Sequence, residues 1–122
     1  MRLSGDFYNM EPAGTGAALA HLNAEHPIYR AHFPGQPIAP GVCIIQMAVE
    51  ICGELEGRCF EVLGIRDAKF LAPVIPGSCK ALCFEYEPLA WDGDNVRIQA
   101  VVSDADSGAK VAKIIILCRA SS

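Results

Sequence analysis

An α+β architecture is predicted, one long helix held by a curved antiparallel sheet of about six strands, and three observations predict it. From Val42 to Leu55 apolar residues cover nearly the whole circumference of a helix, four β-rich runs follow, and Gly- and Pro-containing turns separate those runs. Two further strands are expected ahead of the helix, near Asp6 to Met10 and Gly16 to Leu22, joined across Glu11-Pro12-Ala13-Gly14-Thr15, with a short turn over Ala24 to Tyr29. Pro40 and Gly41 stand at the helix start, where a missing backbone N–H costs nothing. Only Gln46, Glu50 and Glu54 make a polar line along it. Beyond Gly57 the runs are Cys59 to Leu71, Cys79 to Pro88, Val96 to Ser103 and Lys110 to Arg119, read as a meander with turns at Pro76-Gly77, Asp92-Gly93-Asp94 and Ser107-Gly108. With so few other elements, the sheet is expected to curl around the helix.

The chain of 122 residues is expected to form a single domain over 1–122. Its 52% hydrophobic content against 20% charged, and its mean hydropathy of +0.27, argue against disorder. A domain this small has too much surface to hide that apolar content alone, so a subunit interface, an apolar ligand, or both are expected. A net charge of -4 provides no field for a polyanion, which excludes nucleic acid as an expected partner. The residues after Met1 lack an apolar core of the kind a signal peptide needs, and the run Gly41 to Cys52 is broken by Gln46 and Glu50, so a cytoplasmic protein without a membrane span is expected. The six cysteines (Cys43, Cys52, Cys59, Cys79, Cys83 and Cys118) lie in apolar or strand-like runs and are read as buried free thiols. No CxxC pair occurs, so no metal site is expected.

The most informative segment is His32-Phe33-Pro34-Gly35-Gln36-Pro37-Ile38-Ala39-Pro40-Gly41-Val42 and the helix that follows it. Its prolines and glycines hold a histidine and a helix N-terminus at a fixed separation. The amides of Gly41 and Val42 could polarise a carbonyl or hold an enolate oxygen, and His32 could move a proton beside them. From composition alone, a stiffened loop whose His bonds only to backbone is the commoner explanation.

The segment His32 to Gln46 resembles the motif of the FabZ group of 3-hydroxyacyl-acyl carrier protein dehydratases, the FabA group being more distant, and matches its HFPGxPxxPGV core at every defined position. A second landmark, Ala68-Lys69-Phe70-Leu71-Ala72-Pro73-Val74-Ile75-Pro76-Gly77, resembles the strand that runs into P-V-x-P-G in that family. The resemblance implies a hot-dog fold and a homodimer joined edge to edge, with trimers of dimers also open. It implies an acyl chain delivered on the phosphopantetheine of acyl carrier protein, and no cofactor of the enzyme's own. It implies that His32 removes the proton alpha to the thioester carbonyl. Gly41 would donate its amide to that carbonyl oxygen, and the backbone carbonyl of Ile38 would orient the imidazole. Phe33, Ile38, Val42, Met47 and Phe70 are expected to contact substrate, although core packing explains Phe33, Met47 and Phe70 equally well. Arg30, Arg66 and Lys69 are the candidates for docking the acidic carrier.

One departure stands out. Where the family carries Glu, or Asp in the FabA group, this chain has Gln46, and four residues on, where FabZ-type helices usually carry Gln, it has Glu50. An amide cannot donate a proton as an acid does. Positions i and i+4 share a helix face, so Glu50 could supply the carboxylate from one turn deeper. Glu50 on a solvated stripe with Glu54 fits the same spacing, and so does a site in which His32 is the sole proton shuttle. His21 and His26 are read as surface residues, and Trp91 as packing on a hairpin. The rivals to a dehydratase are an acyl-thioesterase and a weak or inactive acyl-binding subunit paired with an active homologue.

Overall fold

Period-two alternation is clearest in the strand Asn95–Asp104, where Val96, Ile98, Ala100 and Val102 are buried and Asn95, Arg97 and Gln99 are exposed. The structure, a computed structural model, describes residues 2–29 and 38–121. Its elements in chain order are β1 (Tyr8–Pro12), β2 (Ala17–Leu22), α1 (Gly41–Glu56), β3 (Cys59–Phe70), β4 (Ala81–Tyr86), β5 (Ala90–Asp92), β6 (Asn95–Asp104) and β7 (Lys110–Ser121). Among the described residues the strands form a seven-stranded sheet in the order β1-β2-β4-β6-β7-β3, with β5 paired to β6, and α1 packs against it. Every strand pairing is antiparallel.

The helix is set by its ends and its burial. Pro40 is the N-cap, in an extended conformation, and Gly57 closes the C-terminus in the left-handed region at φ 68, where a Cβ would be strained. The amide of Arg58 then donates to the carbonyl of Gly53 at 2.9 Å. Cys43, Ile44, Met47, Ala48, Val49, Ile51, Cys52 and Gly53 are buried, as expected for a helix apolar almost all round. Met47, Ile51, Ile98, Ile114 and Ile116 are all but inaccessible to solvent. Each such side chain contributes about 1.5–3 kcal/mol of transfer free energy.

Two expectations need correction. The strands after the helix are not a simple meander: β3 pairs with β7, from Cys59↔Ser121 to Phe70↔Ala112, while β4 pairs with β2 and β6. Turn residues mark where a chain reverses, not which strand receives it. The sheet also has a seventh strand. β5 is three exposed residues without a buried face, so it leaves no alternation to read. The edge strand β3 carries two further irregularities, register shifts between Val62 and Gly64 and between Ile65 and Asp67. Bulges of this kind twist an edge.

Candidate functional site

The two sequence landmarks meet at the start of α1. The amide of Ala39 donates to the carbonyl of Val74 at 2.8 Å, which ties the approach to the helix onto the segment after β3. That segment is itself held by β7, through the amide of Leu71 donating to Val111 at 2.7 Å. The carbonyl of Pro40 accepts from Cys43 and Ile44 at 3.0 and 3.3 Å. Proline has no side-chain oxygen, so the N-cap residue caps none of the first-turn amides. Gly41 lets the Phe70 ring close over the helix start: a Cβ there would lie 2.8 Å from Cζ of Phe70 and push the ring away. Ile38, Ala39, Gly41, Ile44, Phe70 and Val74 line a cavity of about 290 Å³ at this junction. Burial pushes the nearby Cys43 thiol up from its ordinary pKa. His32, Phe33 and Arg30 lie outside the described residues.

One turn into the helix, Gln46 and Glu50 are joined. The Gln46 amide donates from Nε2 to Oε2 of Glu50 at 2.8 Å. The same carboxylate accepts from the amide of Leu3 at 2.8 Å on Oε2, from the amide of Ser4 at 2.8 Å on Oε1, and from the Tyr8 hydroxyl at 3.0 Å on Oε1. Two donors on each oxygen fill the four acceptor positions of a carboxylate. Glu50 is therefore not a free carboxylate on a solvated stripe. Burial and Glu50, in that order, push the Tyr8 hydroxyl up from its ordinary pKa, so it remains a donor. Gln46 and Glu50 also line a cavity of about 470 Å³ between α1 and the start of β3, with Val49, Gly53, Arg58 and Phe60.

The remaining candidates separate. Ile38 and Phe70 line the cavity beside Gly41. Val42 sits at the helix start and is 61% exposed, whereas Met47 is wholly buried in the core. Arg66 and Lys69 lie exposed on β3. His21 is exposed and pairs with Glu11 at 2.7 Å. His26 is not the surface residue expected: its side chain is 11% exposed, bonds Asp6 at 3.1 Å and meets the Phe7 ring edge to face. Trp91 stands on β5, with the Arg58 guanidinium 4.7 Å from its ring and Phe60 at 6.0 Å. Cys43, Cys52, Cys79 and Cys118 are buried free thiols, but Cys83, on β4, is half-buried, and Cys59 is exposed at the start of the edge strand β3. Sequence reasoning missed the donors to Glu50. Two of them are backbone amides, which leave no mark in side-chain pattern.

A curved antiparallel sheet holding one long helix is the hot-dog fold, and solved structures agree. A hypothetical thioesterase from Streptococcus pneumoniae TIGR4, with coenzyme A, superimposes with TM-score 0.65 at 13% identity, covering 94% of this chain and 86% of that one. The dehydratase heterocomplex ApeI:P from Xenorhabdus doucetiae gives TM-score 0.61 at 24% identity, covering 91% and 95%. Residues 11–105 match the model of the ApeI-like family, described as ApeI dehydratase, and the chain belongs to that family. Among curated relatives, the 3-hydroxyacyl-[acyl-carrier-protein] dehydratase FabZ of Neisseria meningitidis serogroup C is 36% identical over 88 residues, which is 65% of this chain and 58% of the relative. FabZ of Chlamydia trachomatis serovar L2 is 34% identical over 94 residues, 70% of this chain and 61% of the relative. The matches thus span about three-fifths of those relatives' length. Among the described residues no helix is long and apolar enough to cross a membrane.

Proposed function

We propose that the chain dehydrates a 3-hydroxyacyl group carried as a thioester on acyl carrier protein, giving the trans-2-enoyl thioester, in a site shared by two copies. The observation that supports this best is the junction of Ile38 to Ile44 with Phe70 to Val74 around a helix start whose N-cap residue offers no side-chain cap. The thioester carbonyl oxygen would sit at the amide of Gly41, where the helix dipole and an N–H favour developing negative charge. His32 would take the proton from the carbon alpha to that carbonyl. The C–O bond to the β-hydroxyl then breaks as the carbon–carbon double bond forms, and the imidazolium returns the proton so that water leaves.

Of the routes open to this sequence, the single shuttle through His32 fits the hydrogen bonding of Gln46 and Glu50. Gln46 would hold the departing hydroxyl, and turnover is expected to lie about 10²- to 10⁴-fold below that of an enzyme with an acid there. The test is to supply the purified chain with a 3-hydroxyacyl-carrier substrate and follow the enoyl thioester. His32→Ala is expected to abolish its formation. Undiminished turnover by that variant, or release of free carrier thiol in place of enoyl product, would overturn the reading.

The amide at position 46 also favours a second reading, a non-catalytic subunit that needs a carboxylate-bearing homologue. In the same assay such a chain is silent alone and gains turnover when that homologue is added.

A further inference from the structure

We propose that Glu50 is a positioning residue: its carboxylate fixes the orientation of the Gln46 side-chain amide and does not itself act on substrate. The kinetic consequence rests on the dehydratase reading, whereas the structural one rests on geometry alone. A glutamine amide has two orientations of nearly the same shape that exchange a donor for an acceptor. With Nε2 2.8 Å from Oε2 of Glu50, the amide is held as a donor on that side. Turned over, it would set its own carbonyl oxygen against a carboxylate oxygen, two acceptors with no hydrogen between them.

The carboxylate can impose this choice because it is fixed in turn. Its other donors, the amides of Leu3 and Ser4 and the hydroxyl of Tyr8, come from one short segment. That segment is folded on itself by the amide of Gly5 donating to Tyr8 and that of Phe7 to Leu3, both at 2.8 Å. Leu3, Phe7 and Tyr8 are buried, so the donors are anchored in the core. Both Gln46 and Glu50 line the cavity of about 470 Å³. A group bound there therefore meets a Gln46 amide of one defined polarity.

Substitutions at three positions, with an NMR reading, test this. Glu50→Gln is expected to lower kcat about tenfold with KM unchanged, the factor that loss of a hydrogen bond to a charged group corresponds to. In a Gln46→Met background the same substitution is expected to cost nothing more, because Glu50 acts through Gln46. An equal loss in both backgrounds overturns the proposal. Tyr86→Phe removes the 2.6 Å bond from that hydroxyl to the Ala48 carbonyl, on the same helix but away from Gln46. It is expected to lower the unfolding temperature and leave kcat alone. A kcat loss matching that of Glu50→Gln would mark the effect as general loosening and overturn the proposal. Should Glu50→Gln not fold, Glu50→Asp replaces it, withdrawing the carboxylate by one methylene, with the same expected kinetics and the same overturning result. If wild type shows no turnover, the dehydratase reading fails, and the Gln46 side-chain amide resonances decide the positioning role alone. Well-separated proton shifts that collapse in the Glu50 variant support it, and shifts that do not change overturn it.

Discussion

Two glycines on the same helix look alike in the sequence and differ in what surrounds them. A Cβ on Gly53 would lie 2.6 Å from the carbonyl oxygen of Arg58, a backbone atom fixed by the helix cap. A Cβ on Gly41 would meet the tip of the Phe70 ring at 2.8 Å, and that ring is exposed enough to swing aside. Gly53→Ala is therefore expected to lose about 1–3 kcal/mol of stability, the usual cost of overpacking. Gly41→Ala should lose less stability while displacing the ring from the site. Urea midpoints of the two variants check this, and equal midpoints would mean the Arg58 carbonyl yields as easily as an aromatic ring. At this scale the sequence was partly legible. The spacing of Gln46 and Glu50 put them on one face, and they do touch. Which atoms hold Glu50 was not legible, because the donors lie more than forty residues away on the backbone of Leu3 and Ser4.

Elements were legible where the pattern is local. The helix was read as Val42 to Leu55 and runs Gly41–Glu56, because Pro40 and Gly57 bound an unbroken apolar run. Strand β3 was also found, but its place at the sheet edge was not, since pairing to β7 is a long-range choice that no turn residue encodes. Among the described residues β3 pairs only with β7, and Val62, Leu63 and Ile65 are 40%, 49% and 52% exposed. A twelve-residue edge strand carrying these exposed apolar side chains is a template for another strand. Burying it against a second copy would also account for the apolar excess in the composition. The chain is therefore expected to sediment as a dimer at micromolar concentration. Leu63→Lys with Ile65→Lys should shift it toward monomer, since each charge would have to be desolvated at the junction. A wild-type monomer, or a dimer indifferent to both lysines, would remove β3 from the interface.

Four of the six thiols are buried, and this sets how the whole molecule responds to alkali. Burial pushes Cys118 up to about 11 from an ordinary 9.0. Burial, with Glu56 and Cys118 adding to it, pushes Cys52 up to about 12. Burial and then Asp104 push Cys79 up to about 11. Between pH 9 and 11 the unfolded chain releases these protons while the folded chain keeps them, so the unfolded state binds fewer protons and stability falls as pH rises. The contribution is complete below pH 9 and lost by about pH 11–12. The hydroxyls of Tyr29 and Tyr86, also raised chiefly by burial, act in the same direction at higher pH. Thermal unfolding followed from pH 8 to 11 is expected to show a midpoint that declines progressively above 9. In the folded protein at pH 8 a thiol reagent should label the exposed Cys59 quickly, Cys83 slowly, and Cys43, Cys52, Cys79 and Cys118 only after denaturant is added. A flat midpoint across that range, or four thiols labelled at once in the native state, would mean the core opens to water far more readily than packing around Met47, Ile98 and Ile116 allows.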